Sequence, residues 1–200
     1  MPRIRAESVV AHRAMMHAQL LDAFGDLVHE RGYAELTLAE VAARADMARN
    51  TVYNYVGDKE ALLMAFIDRA VDQFIDQVRA ELAGLPDATA RLRHLVDKQM
   101  HEFRTEPGAG SDAGMVDASL VRPESHGDLR DRFAPLHDLL GEIIAEGIAD
   151  GTFRDQPVEH AVPMAYAVMG AERIPVGTGE HDPDEAAERV AEFLLRALAP

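Results

Sequence analysis

The chain has 200 residues, enough for one or two domains with a core of their own. Its 20 Lys and Arg against 35 Asp and Glu leave a net charge of −15 with histidine neutral. That balance argues against broad adhesion to nucleic acid or anionic lipid, yet leaves room for a local basic patch. With no cysteine, a disulfide framework, a thiolate metal site and a cysteine nucleophile are excluded.

At the N-terminus, Arg3 and Arg5 are followed by Glu7, His12 and Arg13, which interrupt any apolar stretch of the signal-peptide kind. The longest apolar run, Ala161 to Met169, contains Pro163 and falls well short of the ~20 residues a bilayer crossing takes. A soluble, cytoplasmic protein with no membrane partner is the expectation.

Apolar residues recur at helical spacing almost throughout, and no stretch alternates with period two, so the fold expected is all-α. Met16, Leu20, Phe24, Leu27 and Val28 predict a first helix over 9–31, stopped by Gly32. Thr37 and Glu40 then form a T-x-x-E capping box for a short helix with Leu38, Val41, Ala42 and Ala45 inward. Asp46 falls where the turn needs a left-handed residue, and Met47 plugs inward. A second short helix is predicted over 49–55, with Val52 and Tyr55 on its inner side. Two short helices about a tight turn make a helix-turn-helix, and neither is long enough to stand without the long helices beside it.

The clearest stripe, from Leu62 to Leu82, predicts a helix over 58–83 with Asp58 as its N-cap and Gly84 as its stop. Further helices are predicted over 88–105 and 127–149. A small-residue helix within 157–173 should be delayed or kinked by Pro163. The last helix, over 183–198, opens on Asp182, Pro183, Asp184 and Glu185, a cap followed by an N1 proline. Residues 106–114 and 174–182 read as loops. The domain boundary is placed at 57/58, giving a head over 1–57 and a helical domain over 58–200.

Charge is shared unevenly between these parts. Residues 1–60 hold 7 Lys and Arg against 9 Asp and Glu, whereas residues 61–200 hold 13 against 26. The most basic stretch is the beginning, where Arg3, Arg5 and Arg13 meet only Glu7; Arg3 and Arg5 suit either a tail or a minor-groove arm. Arg49, Asn50, Thr51, Tyr53 and Asn54 point away from the core or lie at its edge. Arginine can read guanine and asparagine adenine, each bidentately, while Thr and Tyr hydroxyls suit phosphates. Lys59 adds a cation beside the amides that open the long helix, themselves fit for a phosphate.

Gly32-Tyr33-x-x-x-Thr37-Leu38-x-x-Val41-Ala42-x-x-Ala45-Asp46-Met47, followed by Thr51-Val52-Tyr53-x-Tyr55-Val56-Gly57-Asp58-Lys59-Glu60-x-Leu62, resembles the DNA-binding head of the TetR family of transcriptional regulators. The resemblance implies that Thr37, Thr51, Tyr53, Tyr55 and Lys59 lie on or near phosphates, and that Arg49, Asn50 and Asn54 read bases. Tyr55 suits the core equally well. The resemblance also implies a two-fold homodimer built from the last two helices and a ligand cavity in the C-terminal helices. Two positions depart from the pattern. Ala48 stands where Ser or Thr usually caps the second short helix, and Val56 where Phe is usual.

In the helical domain, Met100, Phe103, Met115, Met164, Tyr166 and Met169, with His101, Arg104 and His137 nearby, are the candidates for a ligand chamber; ordinary core packing is the other reading. His94 and His101 lie seven apart, but no His-Glu-x-x-His or tight ligand cluster accompanies them, so no metal is expected. Gly108, Gly110 and Gly114 follow no strand, which removes a phosphate loop, and no cofactor or catalytic grouping is expected. The reading is of a ligand-responsive repressor, not an enzyme, binding a palindromic double-stranded operator as a homodimer with an unknown small-molecule effector. The alternatives are a small helical ligand-binding enzyme and a dimeric protein-binding adaptor, either retaining a non-functional head.

Overall fold

The computed structural model describes residues 2–104 and 126–200. The described residues form ten helices: α1 (Pro2–Arg31), α2 (Leu38–Arg44), α3 (Arg49–Val52), α4 (Lys59–Leu82), α5 (Ala88–Glu102), α6 (His126–Arg132), α7 (Ala134–Ala149), α8 (Val158–Gly170), α9 (Arg173–Gly177) and α10 (Pro183–Leu198). None is long and apolar enough to cross a membrane. The chain divides into two units within α4, after Asp68. The division falls beyond the start of α4 because Leu62, Leu63, Phe66 and Ile67, all buried, belong to the core of the first unit.

In the first unit, Leu20 and Phe24 of α1 are fully buried, and the Phe24 ring meets Phe66 edge-on at 5.2 Å. Gly32 ends α1 at φ 76°, the left-handed conformation that glycine tolerates best, with its N–H donating to Val28 O at 2.8 Å. The backbone of α1 begins at Pro2, earlier than residue 9, because no breaker separates it from the apolar stripe and a proline is tolerated in a first turn.

The capping box at α2 is complete. Glu40 N donates to Thr37 Oγ1 at 3.3 Å, and Thr37 N donates to Glu40 Oε2 at 2.9 Å. After α2 the chain turns at Asp46, the one described non-glycine residue with positive φ, at 51°. Met47 N then reaches back to Ala42 O at 2.8 Å, and Gln19 of α1 donates its side-chain amide to Ala45 O at 2.8 Å. These bonds close the end of α2 and fix the direction in which α3 leaves.

The second unit takes in the rest of α4 and the helices that follow. Asp87 caps α5 and Asp182 caps α10 through their carboxylates. Arg79 of α4 forks onto Glu142 of α7 at 2.7 and 2.8 Å, and Arg91 of α5 pairs with Glu146 of α7. Beyond α7, Arg154 N donates to Leu198 O at 2.8 Å. The end of α10 therefore lies beside the segment that follows α7.

Three helical expectations are corrected here. The helix expected over 127–149 is two, α6 and α7, parted at Phe133. Pro135 has no N–H, and its ring would clash with the carbonyl of Asp131 in a continuous helix. Residues 173–177, placed partly in a loop, form α9; Pro175 falls in its first turn, where its missing N–H costs nothing. Conversely, α8 begins at Val158 and runs through Pro163, so its start is not delayed; the proline leaves without a helical donor only the carbonyl of Glu159, in the exposed first turn. The loop expected at 106–114 lies outside the described residues.

Candidate functional site

α3 is a single turn, shorter than the helix expected over 49–55. The chain continues past it through bonds of the tighter kind: Asn54 N to Thr51 O at 3.0 Å and Tyr55 N to Val52 O at 2.9 Å. Its inner side is held by Val52, fully buried, with Met47 and Val56 buried to either side. The outer side carries Arg49, Asn50, Tyr53 and Asn54, all exposed, and Thr51 half-buried at the edge. No carboxylate pairs with Arg49 among the described residues. Four residues able to bond bases or phosphates thus share one solvent-facing turn.

Two side chains implied as phosphate contacts have partners within the protein. The Thr37 hydroxyl donates to Glu40 Oε2 at 2.7 Å, so its proton serves the capping box. Lys59 Nζ donates to Tyr33 O at 3.2 Å and Ala34 O at 3.3 Å, and it lies 4.3 Å from the centre of the Tyr33 ring. An ammonium so placed ties the start of α4 to the turn after α1. The start of α4 is capped by Asp58, whose carboxylate accepts from Ala61 N at 2.7 Å.

Tyr55 is half-buried, with its ring stacked on His17 at 6.3 Å. The Arg13 guanidinium lies 5.9 Å from the centre of the same ring and donates to Asn54 O at 3.3 Å. Sequence reasoning assigned Arg13 only to the basic beginning and gave His17 no role. The signal was their i,i+4 spacing on α1, in line with Leu20 and Leu21. At Ala48 the N-cap has extended geometry, φ −63° and ψ 137°, and makes no side-chain cap bond.

In the second unit, Met100, Phe103 and Met169 are buried. The His137 ring lies against that of Tyr166 at 4.4 Å between centres. Burial holds the His137 imidazole below its ordinary range, against a weaker opposing pull from Asp138, and burial likewise pushes the Tyr166 hydroxyl up. Met164 is a correction: it is 70% exposed on α8, on the side away from the interior, and does not line an internal chamber. Arg104 is half-buried at the end of α5, and Met115 lies outside the described residues. Missing from the candidates was Gln99, a buried polar residue on α5 whose Oε1 meets no partner. Its position in the apolar stripe between Leu95 and Phe103 was the available signal.

Among the described residues, the histidines do not gather at one site. His94 Nε2 contacts Glu81 at 2.6 Å. His101 Nδ1 is 2.9 Å from Asp97 O, and its Nε2 is 3.4 Å from Asp184, at the start of α10. Asp97, His101 and Asp184 come together, with Asp184 largely exposed.

Residues 20–66 match the family model described as bacterial regulatory proteins, tetR family. The head is thus similar to that of the tetR family. The matched residues run from Leu20 through α2, α3 and the start of α4, which is the substance of the first unit. An HTH-type transcriptional regulator, AlkX, from Mycobacterium tuberculosis is 36% identical over 72 residues, covering 36% of this chain and 34% of that protein. The fatty acid metabolism regulator protein of Bacillus subtilis is 23% identical over 143 residues, 70% of this chain and 71% of that one. The match to the Mycobacterium protein thus spans about a third of its length. A TetR transcription regulator from Haloarcula marismortui has the same fold, with a TM-score of 0.75 over 94% of this chain and 100% of that one at 22% identity. The matching model describes regulatory proteins.

Proposed function

We propose that this chain is a tetR-family DNA-binding transcriptional repressor. As a homodimer it reads a palindromic operator through residues 49–54 and releases it when a small molecule occupies the second unit. The observation that carries the reading is the outer side of α3, where Arg49, Asn50, Tyr53 and Asn54 stand exposed on a turn whose inner side is sealed by Val52. The DNA-binding role belongs to residues 1–57 with the first turns of α4, and the ligand and dimer roles to the remainder.

The homodimer is supported by apolar side chains that the chain leaves uncovered on α8 and α10. Met164 is 70% and Phe193 59% exposed, the latter in a shallow groove lined by Glu188, Arg189, Glu192 and Arg196. A second copy would cover them and supply opposite charges for the rim. Two heads so joined would meet half-sites ~34–36 Å apart, about one turn of DNA. Release requires an effector that binds one arrangement of the dimer better than the other.

Selection of bound DNA from a random pool, at two salt concentrations, tests the reading. An enriched palindrome with half-sites about one turn apart is the expected result. Absence of enrichment at the lower salt overturns it, and enrichment of a lone half-site removes the homodimer.

A further inference from the structure

Three neutral hydrogen-bonding side chains of the second unit lie at one level of the helical bundle. Arg91 of α5 pairs with Glu146 of α7, joining the start of one helix to the end of the other. His101, at the end of α5, lies beside Asp184 at the start of α10, and the end of α10 adjoins the segment after α7. α7 therefore runs against α5. Arg91, Leu95 and Gln99 follow one another at i,i+4, and two turns along each helix from the Arg91–Glu146 pair bring Gln99 level with His137 and Asp138. His137 in turn rests on Tyr166 of α8.

Within this layer two buried atoms have no partner in the protein, Gln99 Oε1 and Tyr166 Oη, and Gln99 is only 9% exposed. A buried hydroxyl or amide without a hydrogen bond destabilises the fold, and Leu and Phe would fill the same space without that penalty. Tyr166 Oη, beside the neutral His137 imidazole, and Gln99 Oε1, at the same level on a neighbouring helix, are suited to a partner that comes from outside.

We propose that Gln99, His137 and Tyr166 form the effector-recognition layer and that the effector is an uncharged organic molecule bearing a hydroxyl group. This inference rests on the ligand-responsive reading above. Gln99 Oε1 needs a hydrogen and Tyr166 Oη has one to give; a hydroxyl accepts and donates at once. None of the three carries a charge at neutral pH. A carboxylate or an ammonium ion placed against them would surrender its hydration and find no opposite charge among the three, and Asp138, level with them, is turned to solvent. The His137 and Tyr166 rings supply a flat apolar wall for the rest of the molecule.

The test uses the full chain and three probes of matched size: benzyl alcohol, benzoate and benzyltrimethylammonium. Binding is measured by calorimetry, and release of the selected operator DNA is measured in parallel. Benzyl alcohol is expected to bind, and Tyr166→Phe and Gln99→Leu are each expected to weaken it about 10-fold or more. Both variants are expected to melt no lower than the parent, since each removes an unpartnered polar atom. Tighter binding of either charged probe, equal binding by the parent and both variants, or no binding by any probe overturns the proposal. The regulatory reading fails separately. If benzyl alcohol binds through Tyr166 and the operator stays bound, the layer is a ligand site and the effector role falls. If a charged probe binds and releases the operator, the role stands and the ligand class falls.

Discussion

Gly147 of α7 lies directly beneath the ring of Phe153: a β-carbon at Gly147 would sit 2.2 Å from Phe153 Cδ2 and 2.8 Å from its Cγ. Phe153 is itself buried, and its N–H donates to Gly147 O at 2.7 Å, so ring and backbone are held together. Gly147→Ala should therefore destabilise the chain by about 1–3 kcal/mol, because overpacking exceeds the gain in helix propensity. Gly141→Ala on the same helix is the control, since its new methyl would meet Val162 and Val158 at 3.6 and 3.7 Å, ordinary contact distances. Denaturant unfolding should separate the two, with Gly141→Ala neutral or stabilising.

Arg49→Ala should cost roughly 1–3 kcal/mol of operator affinity and relax one base position. Binding to a panel of single-base operator variants reads this out. Uniform weakening across the panel would place Arg49 on a phosphate instead.

Lys59 gives the opposite expectation. Its ammonium is bonded to Tyr33 O and Ala34 O, so Lys59→Met should lower thermal stability and leave the salt dependence of DNA binding nearly unchanged. A drop of about 1 in the slope of log affinity against log salt would place that ammonium on a phosphate.

Ala48 leaves the amides that open α3 without a side-chain acceptor. Its extended backbone is the conformation a capping serine adopts. Ala48→Ser should raise stability by about 1 kcal/mol, read as a higher melting temperature, and Ala48→Gly should not match it.

The Glu81 carboxyl is held down at about 2, chiefly by the Gln77 amide and then by His94 and Lys98, against partial burial that pulls the other way. Its unfolded-state value is the ordinary one near 4.5. Its contribution to stability is therefore complete above that value and is lost as pH falls from there toward 2. Glu81→Gln should flatten the loss of stability over that acid window, seen in denaturant melts at stepped pH.

The head was legible because its signals are local. Thr37 with Glu40, Asp46 at the turn, and Asp58 as a cap each act within four residues, and every one adopts the geometry its sequence implies. The breaks at Phe133 and within 174–182 were misread because a proline's effect depends on its place in the turn, and apolar spacing does not show that place. The surroundings of Lys59 and Met164 are set at longer range. What an ammonium or a thioether touches depends on elements distant in sequence: the Tyr33 turn in one case, the outer surface of α8 in the other. Gln99 was passed over because a lone amide in an apolar stripe is silent until its missing partner can be seen.

A helix of one turn has no stiffness of its own, and α3 inherits its shape from the Gln19 amide bond, the Met47 plug and the Arg13 clamp on its far end. On the proposed reading, discrimination between base sequences would thus be a property of α1 as much as of the residues that would touch DNA. Warming or mutation that loosens Leu20 or Phe24 would blur sequence preference while overall helix content still looked intact.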